Sequence, residues 1–259
     1  MAGREMSTVT AHLTNKAYGF PTRGASRRVK APILACIHIT GNRRTAANPD
    51  RHQAARDERN YANRAGSNGP SAHYYVARDG WATEAIDPAK HAAWSNGDVA
   101  SPNTTNAGVA KVLALRAKGY NANEAYWLEF ECVGYGSTYP ITKAQKQFLA
   151  TRIAAMAKAT GLPVNRTTVH GHSEINSVNR ASCPCPKASR EAFLGDVIAR
   201  ANAILRPPIA TVAVKAGDTL SEIAAAHKLT LAALLAFPEN AKYRANPGLI
   251  HPGDIVRVK

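Results

Sequence analysis

The run Val169-His170-Gly171-His172-Ser173-Glu174 is soon followed by Ser182-Cys183-Pro184-Cys185-Pro186, which sets two imidazoles and two thiols close together in the chain. A further histidine, His38, lies far upstream in Cys36-Ile37-His38-Ile39-Thr40. Two imidazoles and one thiolate fill three positions of a tetrahedral zinc and leave the fourth for water, which is the arrangement of a catalytic site. The long separation of His38 from His172 argues against a zinc finger, whose ligands come in tight local pairs. Any one of these histidines, alone on an apolar strand, reads as a packed core residue. The combination points to a metal.

A second group of reactive side chains lies in Tyr126-Trp127-Leu128-Glu129-Phe130-Glu131-Cys132. A strand period of two puts Tyr126, Leu128, Phe130 and Cys132 on a core face and Trp127, Glu129 and Glu131 on the other. That other face is either a solvated edge or the floor of a groove with a general base beside the metal. The same period puts His170 and His172 on one side of their strand, so that one is a ligand and the other orients or contacts substrate.

These groups need a scaffold, and the pattern supplies an α/β one. Pro32 to Ile39 reads as a buried strand ending near His38, and Asp50 to Arg64 as a polar helix. Ser71 to Ala77 and Trp81 to Ile86 read as two strands joined through Arg78-Asp79-Gly80, a hairpin signal. Ala107 to Lys118 and Thr142 to Thr160 read as helices, the second with an apolar stripe of Phe148, Ile153, Ala154 and Met156. A short strand at Arg166 to His170 and a helix from Lys187 to Leu205 complete a mixed central sheet flanked by helices. Consecutive prolines make residues 206–210 a stiff linker between a domain of residues 1–205 and a small one of residues 211–259.

With 45% hydrophobic and 20% charged residues over 259 positions, the composition is that of a globular chain with one substantial domain and a small one. No apolar run approaches the roughly 18 residues that span a bilayer. Met1 to Phe20 shows no apolar stretch of a signal peptide, so the expectation is a chain that starts in the cytoplasm and meets an extracellular target through a permeabilised membrane. Four cysteines are too few for a disulfide scaffold, and a Cys183–Cys185 bridge would strain a very small ring, so thiols are expected. The net charge is +15, and residues 211–259 hold only +2 of it. Such a balance favours polyanions: nucleic acid, an anionic membrane, or the phosphate- and carboxylate-bearing polymers of a bacterial wall.

In order along the chain stand Ile37-His38-Ile39-Thr40, Ser71-Ala72-His73-Tyr74-Tyr75-Val76-Ala77-Arg78-Asp79-Gly80, Ala93-Trp94, Leu128-Glu129-Phe130-Glu131, Gly171-His172 and Cys183-Pro184. This series resembles the zinc-dependent N-acetylmuramoyl-L-alanine amidases of the peptidoglycan-recognition-protein fold, a family common in phage endolysins. The resemblance covers roughly residues 30–200. It implies that His38, His172 and Cys183 hold zinc, with Cys185 the alternative, and that Glu129 is the catalytic carboxylate. It also implies Trp94, His73 and Glu131 as substrate contacts. Two positions depart from the family. A lysine that stabilises the oxyanion often stands two residues before the third ligand; Ala181 stands there, leaving Arg180 or His170 to substitute. A histidine often follows the tryptophan, and here it is Ser95.

The tail, Val212 to Val258, resembles a LysM module through Val214-Lys215-Ala216-Gly217-Asp218-Thr219-Leu220-Ser221-Glu222-Ile223-Ala224, Leu234-Leu235, Asn246-Pro247 and Ile250-His251-Pro252-Gly253-Asp254-Ile255-Val256. A βααβ domain follows, in which Asp218 or Thr219 caps a helix through Lys228. Such modules bind N-acetylglucosamine-containing glycans, which implies a groove at Gly217, Asp218, Thr219 and Leu220 and at Asn246 to Ile250. The combined expectation is a monomeric endolysin that cuts the bond between N-acetylmuramic acid and L-alanine in peptidoglycan. Zinc is its cofactor, with no specific nucleic acid partner. The rivals are a wall peptidase with Cys183 as nucleophile, a noncatalytic peptidoglycan binder, and a basic nucleic-acid binder. The last lacks interleaved surface aromatics and any recognised nucleic-acid motif.

Overall fold

The computed structural model describes residues 8–10, 34–62, 71–96, 98–206 and 209–259. The expectations for Met1 to Phe20, apart from 8–10, and for Pro207-Pro208 lie outside the described residues. The chain divides into two compact units between Leu205 and Arg206.

In the first unit the order is β1 (Thr8–Thr10), β2 (Leu34–Ile39), α1 (Arg43–Ala46), α2 (Arg51–Ala62), β3 (Tyr74–Val76), β4 (Ala82–Glu84), α3 (Ala107–Ala117), β5 (Tyr126–Cys132), α4 (Lys143–Thr160), β6 (Val169–Gly171) and α5 (Lys187–Leu205). The strands form one mixed sheet in the order β1-β4-β3-β5-β2-β6. Only β3 and β4 pair antiparallel among these described strands. Their hairpin turns at Gly80, with φ +89°, where the Asp79 carboxylate accepts from the Trp81 N–H at 3.1 Å. A capping box between Thr142 and Gln145 opens α4, and Gly161 in the left-handed region closes it.

Both faces of the sheet are covered. Ala35, Ile37, Leu128, Phe130 and Cys132 pack beneath α4 and α5 in the main core. On the opposite face Leu34, Cys36 and Tyr126 pack with Val109 and Val112 of α3, and Tyr75 packs with Ala54 and Ala55 of α2. Tyr126 therefore does not share a face with Leu128, as strict alternation predicts. Leu34 pairs with Tyr126 but Ala35 pairs with Leu128, so Trp127 is an extra residue in β5, a β-bulge. The bulge sends Trp127 toward the α4/α5 core and leaves Glu129 and Glu131 on the other face, without the indole. That face is no solvated edge: Glu129 is 0% and Glu131 9% exposed.

The close seating of α3 requires glycine. A Cβ on Gly108 would collide with the Thr167 carbonyl oxygen and the His170 ring. Gly108→Ala is expected to destabilise the domain by about 1–3 kcal/mol, the usual cost of overpacking. A lowered urea midpoint at unchanged m-value checks this; an unchanged midpoint would show that α3 shifts freely.

The second unit runs β7 (Thr211–Ala213), α6 (Leu220–Ala226), α7 (Leu231–Ala236), a 3-10 turn at Pro238–Tyr243, and β8 (Ile255–Arg257) antiparallel to β7. Thr219 caps α6, its hydroxyl accepting from the Glu222 N–H at 3.2 Å while the Glu222 carboxylate reaches back. The helix stops at Ala226, short of Lys228, which takes φ +58°. Val214, Leu220, Ile223, Leu234, Tyr243 and Val256 form its core. Leu220, 1% exposed, is thus a core side chain, which corrects its expected place in a glycan groove. Gly217, Thr219 and Asn246 are exposed, and Asp218 and Ile250 half-buried. Of the expected linker, Ala210 already pairs with the C-terminal segment, its carbonyl accepting from the Val258 N–H at 2.8 Å.

Candidate metal centre

Adjacent parallel strands bring the two histidines together. Ile37 of β2 lies opposite Gly171 of β6, and each is followed by a histidine. His38 continues β2, whereas His172 opens a 3-10 turn. Alternation therefore stops at Gly171, and His170 and His172 do different things. The Nδ1 atoms of His38 and His172 stand 2.9 Å apart. Together with Cys183 Sγ they form a set of donor atoms all within 4.8 Å of one another. The loop bearing Cys183 is held from both sides. The Ser173 N–H donates to the Cys183 carbonyl at 2.9 Å, and the Ile39 N–H donates to Cys183 Sγ at 3.5 Å. Gly171 permits this approach, since a Cβ there would sit 2.6 Å from Pro184 Cδ.

The donor chemistry fits a divalent cation. Both Nε2 atoms are buried without a hydrogen-bond partner among the described residues, and both Nδ1 atoms converge on one point. Neutral imidazoles protonated at Nε2 present the Nδ1 lone pairs that a metal needs. Burial, then the charge of Arg180, pushes His172 down to about 3; burial, then His172 and Arg180, lowers His38 as well. Burial first, then Glu131, pushes the Cys183 thiol up to about 12. Two neutral imidazoles and one thiolate suit zinc. Cys185, half-buried, packs instead against the main core beside Pro184 and Phe193.

A cleft of about 580 Å³ opens over these donors, lined among others by Thr40, Ser95, Glu131 and Arg180. Glu131 stands directly opposite His38 in the sheet register. Its Oε2 is buried with no hydrogen-bond partner among the described residues. Burial first, then Glu58, pushes its carboxyl up to about 8, against the pull of Arg180. Glu129 lies two register positions back, opposite Cys36. Its Oε2 accepts from Ser95 Oγ at 2.6 Å and its Oε1 from Asn96 Nδ2 at 2.7 Å. Both carboxylates share the metal's face of the sheet; Glu131 is the one that lines the cleft, and one of its oxygens is buried without a hydrogen-bond partner among the described residues.

Other expected residues lie elsewhere. His73 is 0% exposed. Its Nδ1 accepts from the Glu129 N–H at 2.9 Å, which leaves the hydrogen on Nε2 to reach the His91 carbonyl at 2.9 Å. It is a structural histidine with a fixed tautomer and not a substrate contact. His170 is also fully buried, edge-on to Tyr126 at 6.2 Å and beneath Gly108, so it cannot stabilise an oxyanion in the cleft. Arg180 lies exposed on the cleft wall. Trp94 is half-buried, its backbone N–H tied to Ser71 Oγ at 3.1 Å. Ser95 and Asn96 were not expected as site residues. Their signal is a buried strand carboxylate, which needs donors from somewhere in the fold.

A mixed sheet with His, His and Cys converging at one end of parallel strands, under an open cleft, defines an α/β protein with a candidate metal centre. Residues 28–186 match the family model described as N-acetylmuramoyl-L-alanine amidase, and residues 212–259 match that of the LysM domain. The first match spans more than half of the chain, which therefore belongs to the N-acetylmuramoyl-L-alanine amidase family and carries a LysM domain. No curated protein matches it. Similar solved structures include the PlyG catalytic domain, at 15% identity and TM-score 0.48, over 78% of this chain and 100% of that one. Another is the Staphylococcus aureus hydrolase AmiA in complex with its ligand, at 16% and 0.47, over 76% and 84%. A third is the N-acetylmuramoyl-L-alanine amidase LysC from Clostridium intestinale URNW, at 12% and 0.44, over 74% and 97%.

Proposed function

We propose that this chain is a zinc-dependent endolysin that hydrolyses the amide between the lactyl group of N-acetylmuramic acid and L-alanine, held on its polymer by the LysM domain. The observation that carries this is the convergence of His38, His172 and Cys183 beside Glu131, a carboxylate that lines the cleft and has one oxygen without a hydrogen-bond partner among the described residues. Zinc held by these three residues would supply a Lewis acid that polarises a carbonyl and acidifies water. Glu131 is the proposed general base and acid, in place of Glu129: it takes the proton of the attacking water and returns it to the departing amine. A carboxyl pushed up to about 8 suits both halves of that exchange near neutral pH. Arg180, the cation on the cleft wall, is the proposed partner of the negative oxygen that develops, the role left open at Ala181.

Loss of activity to a chelator and its return with zinc tests the metal against the thiol-nucleophile rival. Activity indifferent to chelation would favour the rival. Deleting residues 206–259 is expected to preserve cleavage of a small soluble muropeptide while weakening attachment to intact walls by about 10²-fold or more, the scale of avidity lost with a tether. Co-sedimentation with walls at fixed salt measures this; equal sedimentation of both forms would remove the targeting role. Salt is held fixed because the basic first domain is attracted to anionic walls on its own.

A further inference from the structure

The two ligand histidines are held in different ways. His38 belongs to β2, a strand paired on one side with β5 and on the other with β6. His172 has left its strand and opens a three-residue 3-10 turn. A ligating imidazole is usually fixed by a hydrogen bond to its other nitrogen, yet His172 Nε2 is buried with no such partner among the described residues. The direction of its ring therefore depends on the turn that carries it. Glu174 grips that turn. Its side chain is 1% exposed, and its Oε2 accepts at 3.0 Å from the N–H of Gly171, the residue just before the ligand. Its Oε1 accepts from Arg166 Nη2 at 2.7 Å. Arg166 also donates to the Val169 carbonyl and, from Nε at 3.0 Å, to Glu191 of α5. The guanidinium thus ties the carboxylate to β6 and to α5.

We propose that Glu174 is a positioning residue for the metal centre: its carboxylate, aimed by Arg166, sets the turn that directs His172 Nδ1 toward His38 and Cys183. The proposal rests on the zinc site inferred above and deepens it. A buried ion pair stabilises a fold little against apolar side chains of the same volume, and its best use is to fix one arrangement among several. The arrangement fixed here includes the loop of the third ligand. In the same turn the Ser173 N–H donates to the Cys183 carbonyl at 2.9 Å. Of the two neighbours of His172, one is therefore tied to Glu174 and the other to Cys183. A shift at the Gly171 bond moves the imidazole and the thiol relative to each other.

The test uses the full chain and the metal alone. Glu174→Gln keeps the shape, but both partners of Glu174 are donors and an amide accepts at only one end. One of the two contacts is lost. Zinc affinity, measured by competition with a chelator well below the melting temperature, is expected to fall about 10–100-fold, the scale of a lost outer-shell partner. In the cobalt(II)-loaded variant the visible absorption bands, which report ligand geometry, are expected to shift. Glu191→Ala removes the exposed end of the same network and is expected to leave both readouts at wild-type values. A Glu174→Gln variant that melts at a lower temperature but keeps its zinc affinity and cobalt spectrum would reduce Glu174 to a structural residue and overturn the proposal. An equal loss of affinity in Glu191→Ala would overturn it too. Should Glu174→Gln fail to fold, Arg166→Lys decides: a point charge replaces the fork that aims the carboxylate, so zinc affinity falls there as well, and unchanged affinity would overturn the proposal. A wild-type chain that takes up neither zinc nor cobalt would refute the metal centre itself, and this role with it.

Discussion

Glu131→Gln is expected to lower turnover by about 10²–10⁴-fold, the usual scale of lost general acid–base catalysis, with zinc content and thermal melting nearly unchanged. The carboxylate stands opposite His38 and lines the cleft, with one oxygen buried and without a hydrogen-bond partner among the described residues. The amide has the same shape but cannot take a proton from water. Glu129→Gln provides the contrast, since that carboxylate is spent on Ser95 and Asn96. Turnover of Glu131→Gln near that of wild type, with a severe loss in Glu129→Gln, would reverse the two roles.

The second large effect concerns the sulfur. Cys183→Ser is expected to strip zinc and activity together, because a neutral hydroxyl is a far poorer ligand than a thiolate. The loss in metal affinity should exceed the roughly 10–100-fold that follows loss of an outer-shell partner. Cys185→Ser should keep both, since Cys185 faces the core beside Phe193 and does not converge with the histidines. Metal analysis of the purified variants decides. Full zinc in Cys183→Ser with loss in Cys185→Ser would exchange the assignments; zinc retained in both would remove each as an indispensable ligand.

What could be seen in the sequence was what rests on local chemistry. The Asp79-Gly80 hairpin, the cap at Asp218 or Thr219 (Thr219 in the structure) and the apolar stripe of α4 each involve residues a few positions apart, and each stands in the structure. The pairing of His38, His172 and Cys183 came from the resemblance, and the fold brings those three together. What could not be seen was register. The Trp127 bulge changes which residues share a face, and nothing in Tyr126 to Cys132 marks it. Whether Glu129 or Glu131 reaches the cleft depends on how β5 slides along β2, a contact across most of the domain. His73 and His170 show the same limit: a buried, hydrogen-bonded histidine and a site histidine look alike until their partners are known.

The central claim is the identity of the severed bond, and mass analysis of peptidoglycan digested by the intact protein tests it most directly. Cleavage between the lactyl group and L-alanine releases peptides with a free N-terminal L-alanine and leaves glycan strands with unsubstituted muramic acid carboxyls. That is the expected product set, appearing in the wild type and absent in Glu131→Gln. New reducing sugar ends, or peptides cut elsewhere with the lactyl–alanine bond intact, would contradict it.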